Sequence, residues 1–256
     1  MMKTIVICNQ KGGVGKTTTT SAMGAYLVKK GYRVLTIDSD PQGNLSSSIG
    51  INPDEVSTLD DLMTGKNTIQ QVIIKTAIGD LISCSLSLSD ADRRFTQFKA
   101  FEILKNILSE VNDSYDFTII DAPPSLGIIS LNDLIASDYV VVPVNAAAFS
   151  IQGIKALVSI IKEVKSDNKS LKIAGILVTR YNSRTTLGKD VIEVLKDIAE
   201  KIGTKVFDSK IRQGVAIEAA QADQIDIFTA APKSGVASDY ESFCNELMND
   251  ILKENR

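Results

Sequence analysis

Lys11-Gly12-Gly13-Val14-Gly15-Lys16-Thr17-Thr18 has the residue types and order of a loop that wraps phosphate. It follows an apolar run, Thr4 to Cys8, and opens a stretch of helical period, the strand-loop-helix context that a P-loop requires. Its glycines let successive backbone N–H groups turn toward phosphate oxygens, and the positive end of the helix dipole adds to the anion site. Lys16 is placed to reach the β- and γ-phosphates of ATP, and the Thr17 hydroxyl to ligate magnesium. The usual spacing asks for glycine at position 10, where Gln10 stands, so the loop is a variant with an extra lysine, Lys11. A glycine-rich turn into a helix is the plain alternative, and it does not account for strand, Gly-Lys-Thr and helix occurring in register. Two further acidic groups sit at strand ends, the edge where open α/β sheets bind ligands. Phe117-Thr118-Ile119-Ile120-Asp121 is an apolar run ending in an acid, the arrangement that directs a carboxylate to magnesium, commonly through a water. Asp38 and Asp40 alternate after Val34-Leu35-Thr36-Ile37. Asp38 is expected to support Thr17 and the metal shell, and Asp40 to orient or deprotonate the attacking water. An acid at a strand end can equally be a loop or helix-cap residue; proximity to a P-loop favours the functional reading. Pro123, Pro124 and Gly127 read as a stiff turn after Asp121 that could sense the γ-phosphate.

These residues need a scaffold that holds the strand ends side by side. Apolar β-branched runs at 3–8, 33–37, 81–84, 117–120, 139–142, 172–178 and 204–207 alternate with helical periods at 16–30, 98–111, 126–136, 150–165, 187–202 and 238–252. That alternation predicts an α/β fold, a mostly parallel twisted sheet covered by helices on both faces, in a single P-loop NTPase domain over 1–256. The stretch 46–80, punctuated by glycines and a proline, reads as small helices and loops. Gly31 after Lys29 and Lys30 fits a glycine stop to the first helix. With 256 residues, 44% hydrophobic and 23% charged, the chain can bury a substantial core. It contains no histidine, which excludes imidazole acid-base chemistry and histidine metal sites. Cys8, Cys84 and Cys244 are odd in number and far apart, so buried reduced thiols are expected. No apolar run is long enough to span a bilayer, and a cytoplasmic protein is expected. The net charge of −3 argues against a globally basic nucleic-acid binder and leaves room only for a local patch.

KGGVGKTT, DSDPQGN and IIDAPPSLG, in this order and spacing, resemble the ParA/Soj partition ATPases of the deviant-Walker group that includes MinD. The resemblance covers nearly the whole chain and is looser after about Lys205. It implies an ATP-driven face-to-face homodimer in which the lysine matching Lys11 reaches the nucleotide of the opposite subunit, and it makes Asp40 the hydrolytic acid. It implies non-specific binding of the ATP dimer to double-stranded DNA, release on hydrolysis stimulated by a ParB-like partner, and a nucleoid-associated location from which DNA is segregated. Arg180 and Arg212 are assigned to the nucleotide, and Arg184, Lys189, Lys210 and Arg212 to DNA, with Lys205 and Lys233 as further phosphate contacts. Two departures bear on this: the family's Pro-Arg-Asn is Ile211-Arg212-Gln213 here, and a second family arginine is Ala216. The chain starts at its first strand, so the extension used for sequence-specific autoregulation in larger relatives is not expected. The nearest rival is a MinD-like ATPase positioning a protein or membrane-associated cargo. Its anchor would be a basic amphipathic C-terminal helix, whereas Asp239, Glu241, Glu246, Asp250 and Glu254 load that region with acid around a stripe of Tyr240, Phe243, Leu247 and Ile251. That stripe is expected to dock on the core. An iron protein would need paired cysteines, a tyrosine kinase a tyrosine-rich tail, and a nucleotide-binding adaptor would not need Asp40 and Asp121.

Overall fold

Parallel strands buried on both faces need crossover helices to cover them, and the chain supplies the two in alternation. The computed structural model describes residues 2–97, 99–146, 151–182 and 186–254, and describes side chains in these ranges except at 151, 152 and 186–190. β1 (Lys3–Ile7) leads to α1 (Lys16–Lys29) and β2 (Val34–Asp38). Three short helices follow, α2 (Asn44–Ser47), α3 (Leu59–Met63) and α4 (Ile69–Val72), then a hairpin of β3 (Ile74–Thr76) and β4 (Gly79–Ile82). α5 (Ala91–Arg94) and α6 (Ile103–Ser109) precede β5 (Phe117–Asp121), α7 (Ile128–Ile135) and β6 (Tyr139–Asn145). The chain continues through α8 (Ile151–Val164), β7 (Lys172–Thr179), α9 (Thr186–Lys201), α10 (Ala216–Ala222), α11 (Ile227–Ala230) and α12 (Gly235–Glu254).

The sheet runs β3-β4-β2-β5-β1-β6-β7, parallel throughout except for the β3–β4 hairpin at its edge. β1 pairs with β5 on one side and β6 on the other. The path therefore leaves β1 toward β2 on one flank and returns to β6 on the opposite flank, and this reversal opens a crevice at the carboxyl ends of the strands. Alternate residues of the central strands feed two cores. Val6 and Ile120 pack with Leu104, Leu134, Leu157 and Leu195 of α6 to α9. Ile5, Ile7 and Ile119 pack with Met23 and Leu27 of α1 and with α12. The expected docking of α12 is realised: Tyr240, Phe243, Leu247 and Ile251 are each at most 1% exposed. At ~1.5–3 kcal/mol for each fully buried large apolar side chain, that stripe is committed to the core. The glycine stop to α1 is also present, with Gly31 at φ 86, its N–H donating to the Val28 carbonyl at 2.9 Å and the Tyr32 N–H to Leu27 at 3.1 Å.

The structure adds to the expected helices α5, α10 and α11, and it departs from the expected strands as well. The predicted strand at 204–207 shrinks to a single bridge, Ile176 with Val206, because the next two backbone donors, Asp208 and Ser209, turn to the Glu246 carboxylate at 2.9 Å each rather than to β7. Stretch 46–80 holds the expected small helices, and also β3, whose three residues are too short for periodicity to reveal.

Candidate nucleotide and magnesium site

The loop between β1 and α1 turns through Gly13 at φ 70 and Gly15 at φ 89, left-handed conformations that side chains disfavour. Its neighbours in the sheet fix it. Asn9 donates Nδ2 to the Pro143 carbonyl of β6 at 2.7 Å and accepts the Lys11 N–H on Oδ1 at 3.1 Å. At the other end Thr179, the last residue of β7, donates its hydroxyl to the Val14 carbonyl at 2.8 Å. Lys16 then begins α1, 7% exposed, on the floor of the crevice. Thr17 donates its hydroxyl to Asp121 Oδ2 at 2.7 Å, and Thr20 donates to Asp121 Oδ1 at 3.4 Å.

Strand register places Asp38 directly opposite Asp121, both 0% exposed. Asp38 accepts the N–H and hydroxyl of Ser46 on Oδ2 at 2.9 and 2.8 Å, and the Asp40 N–H on Oδ1 at 3.2 Å. The support for Thr17 expected of Asp38 therefore comes from Asp121, because the strand order sets β5, not β2, beside β1, from which the loop and α1 spring. Burial pushes the Asp38 carboxyl well above the ordinary range against the opposing pull of Ser46. Burial and then the facing Asp38 charge push Asp121 up, with Thr17 and Lys16 pulling down. A third buried acid, Asp133 of α7, was not picked out in the sequence. Its Oδ1 accepts the Ser39 hydroxyl at 3.0 Å, its Oδ2 has no hydrogen-bond partner, and burial pushes its carboxyl well above the ordinary range, with the Asp121 and Asp38 charges adding to it. The available signal was Asn132-Asp133 interrupting an otherwise apolar helix. The cysteines are free and buried as expected, and burial, then Asp133, raise Cys8 to about 12, so it is an inert thiol at neutral pH.

A cleft of about 600 Å³ opens over this floor. Gly12, Gly13 and Gly15 to Thr18 form its base, and Asp40, Gln42 and Asn44 form one wall. Gln213, Gly214, Ile217 and Glu218, from the loop before α10 and from α10 itself, form the other. Of this second wall, Gln213 belongs to the Ile211-Arg212-Gln213 departure noted in the sequence, whereas Ile217 and Glu218 carry no such signal. Arg180, at φ 48 just after β7, lines the cleft as expected, and Pro124 of the turn after β5 does as well. Val14 is buried with its carbonyl on Thr179, and Lys11 is exposed beside the cleft base. Arg212 differs from expectation: it does not line the cleft, and its guanidinium forks onto Asp239 of α12, Nε to Oδ2 and Nη2 to Oδ1, both at 2.7 Å. The physical reason is local charge, since Asp239 stands 13% exposed on the turn of α12 that the loop crosses. Lys210 donates to the Asp208 carbonyl at 2.9 Å and lies 6.0 Å over the Tyr181 ring. Arg184 lies outside the described residues, and Lys189 is on α9 with its side chain outside them.

Known proteins share this arrangement. The AAA domain family matches residues 2–173. The chromosome-partitioning ATPase Soj of Treponema pallidum is 39% identical over 252 residues, 97% of this chain and 98% of the relative. The chain belongs to the ParA/Soj family of partition ATPases. A second ParA/Soj relative, the sporulation initiation inhibitor protein Soj of Bacillus subtilis, is 35% identical over 252 residues, 96% of this chain and 98% of its own. Among solved structures, cobyrinic acid a,c-diamide synthase of Mycobacterium smegmatis with bound ATP analogue and magnesium superposes with TM-score 0.87 at 30% identity, covering 100% of this chain and 98% of that one. This ParA/Soj chain is an ATPase with ATP and Mg²⁺ as its nucleotide and metal.

The residues present fit a magnesium nucleotide. Among the described residues no three His, Cys, Asp or Glu side chains group into a metal cage. Magnesium does not need one, because it takes one or two protein oxygens and completes its shell with phosphates and water. The Thr17–Asp121 pair offers hard oxygen ligation, and two facing buried carboxylates leave a negative potential that a cation relieves. Among the described residues no helix is long and apolar enough to cross a membrane.

Proposed function

We propose that this ATPase works as an ATP-dependent DNA-partitioning switch, in which the ATP-bound chain forms a homodimer that binds double-stranded DNA without sequence preference. Hydrolysis stimulated by a ParB-like centromere-binding partner releases it. The observation that carries this reading is the division of labour between two lysines: Lys16 is buried in the cleft floor at 7% exposure, whereas Lys11 is exposed beside it. Lys16 serves the chain's own nucleotide. The exposure of Lys11 supports a role in which it supplies positive charge to the nucleotide of a facing copy, as an arginine finger does. Thr17 and Asp121 hold magnesium, with Asp38 shaping the charge beneath them. When bound there, the metal would supply positive charge to offset that of the phosphates. Asp40, in the cleft wall, orients or deprotonates the attacking water.

Dimerisation explains how an acidic chain meets DNA, because two copies of a weak basic patch on one face raise avidity without new contacts. Arg184, Lys189 and Lys210 are the residues proposed for that patch. A membrane target is disfavoured by α12, whose apolar stripe is spent inside the core. The test uses Asp40→Ala, which removes water activation and leaves the phosphate cradle. Size-exclusion chromatography with ATP and magnesium is expected to show a trapped dimer with phosphate release lost. Mobility shifts of that dimer on random duplex at two salt concentrations are expected to show binding that weakens steeply with salt. A monomer, or a dimer that ignores DNA at low salt, overturns the partition reading.

A further inference from the structure

The acids of α12 have a use that their sequence pattern alone did not show. The segment from Lys205 to Gly214 runs along the edge of β7 and ends in the cleft wall. It is held at intervals by carboxylates of α12. Glu246 accepts the Asp208 and Ser209 N–H groups and the Lys205 ammonium, at 2.9, 2.9 and 3.0 Å. Seven residues earlier, two helical turns along the same face, Asp239 accepts the Arg212 N–H at 3.0 Å and its guanidinium fork. Between these staples the segment pairs with β7, Ile211 N–H to the Val178 carbonyl and Tyr181 N–H to the Ile211 carbonyl, both at 2.9 Å.

Close approach follows from two glycines. A Cβ on Gly235 would stand 2.5 Å from Arg212 Nη1, and one on Gly214 would stand 2.7 Å from Val236 Cγ2. The loop thus lies flat on the first turn of α12. That helix is immobilised by its buried stripe, whereas beyond the buried Ile211 the loop exposes Arg212 and Gln213. The next residues, Gln213 and Gly214, face the cleft, and Ile217 and Glu218 extend the same wall. A fixed helix thus holds the exposed turn that follows the buried Ile211, and that turn sets one side of the nucleotide cleft.

We propose that Asp239 is a positioning residue for nucleotide binding, acting through Arg212 to hold the Gln213–Gly214 wall of the cleft in place. The arginine assigned by resemblance to the nucleotide is instead committed to shaping its site. Restraint of this kind favours the bound geometry before ligand arrives, so its loss weakens binding more than chemistry.

The inference rests on the ATPase reading, and turnover of ATP by the unaltered protein in the same assay keeps the two separable. Asp239→Asn retains an acceptor oxygen and loses the charge-assisted fork. Steady-state kinetics and titration with a fluorescent ATP analogue are expected to show KM and Kd raised about tenfold with kcat within about twofold of the parent. Arg212→Ala is expected to do the same, and the double variant to be no worse than either single change, since both cut one link. Glu241→Gln, on the same helix and away from the loop, is expected to leave KM unchanged. An unchanged KM in a folded Asp239→Asn protein, a fall in kcat alone, or effects of the two changes that multiply would each overturn the proposal. Should Asp239→Asn fail to fold, Arg212→Lys gives the decision: it keeps the charge without the planar fork. A raised KM supports the claim and a parental KM refutes it.

Discussion

Replacing Asp121 with Asn removes a buried charge while keeping its shape. The side chain is 0% exposed and its two oxygens accept from the hydroxyls of Thr17 and Thr20. Hydroxyls rotate, so an amide in the same place is still satisfied, its oxygen accepting from one threonine and its NH₂ donating to the other. What changes is the electrostatics. Burial, followed by repulsion from Asp38, raises the Asp121 carboxyl above its ordinary value, with Thr17 and Lys16 only partly opposing. The native state therefore binds a proton that the unfolded chain has already lost above pH of about 4. Stability from this group is complete below the unfolded value and is lost as pH rises from there through the raised native value. Asp121→Asn abolishes that loss. Exchanging a buried, poorly compensated ion for a neutral isostere is worth roughly 1–4 kcal/mol. In a protein of this size each kcal/mol moves Tm by about 2–4 °C. Loss of the attraction between Asp121 and Lys16 trims the gain without reversing it. Melting of the nucleotide-free proteins across pH 5 to 8 is expected to show the variant more stable by several degrees at pH 8 and by much less at pH 5. Its ATPase rate is expected to fall by on the order of 100-fold, since the metal loses its anionic ligand. A variant less stable than the parent at pH 8, by as much as at pH 5, refutes the charge-strain argument.

Lys11→Ala is expected to bind nucleotide with near-parental affinity and to form no ATP-dependent dimer by light scattering; normal dimer formation would sink the claim that this lysine works across the interface. Thr179→Val removes the hydroxyl that holds the Val14 carbonyl at 2.8 Å in a buried setting, at a cost of about 1–3 kcal/mol. Its Tm is expected to drop by several degrees and its KM for ATP to rise, and parental values of both would show that β7 does not secure the loop.

The phosphate loop was legible because its chemistry is local. Strand, glycines, Lys16, Thr17 and helix are contiguous, and Gly13 and Gly15 take the positive φ that glycine adopts without the strain a side chain adds. Asp38, Asp40 and Asp121 were legible by a weaker route, as acids closing apolar runs, because parallel strands deliver their carboxyl ends to one edge. That reasoning named the acids and not their partners: which of them meets Thr17 depends on a strand order, with β5 between β2 and β1, that periodicity does not encode. The strand expected at 204–207 stops at one bridge to β7 for a related reason, since the following N–H groups, of Asp208 and Ser209, go to a carboxylate on α12 rather than to a neighbouring strand.

By itself the sequence determined the fold class, the phosphate loop, the acids at the strand ends and the family likeness. Each of these is written in neighbouring residues or in the period of a single element. Only the tertiary structure decided that Thr179 braces Val14 across 165 residues, that Asp133 holds Ser39 across 94, and that Arg212 serves Asp239 across 27. Such contacts form when helices dock and strands take register, and the free energy that brings them together belongs to the whole core and is carried by no one stretch of chain.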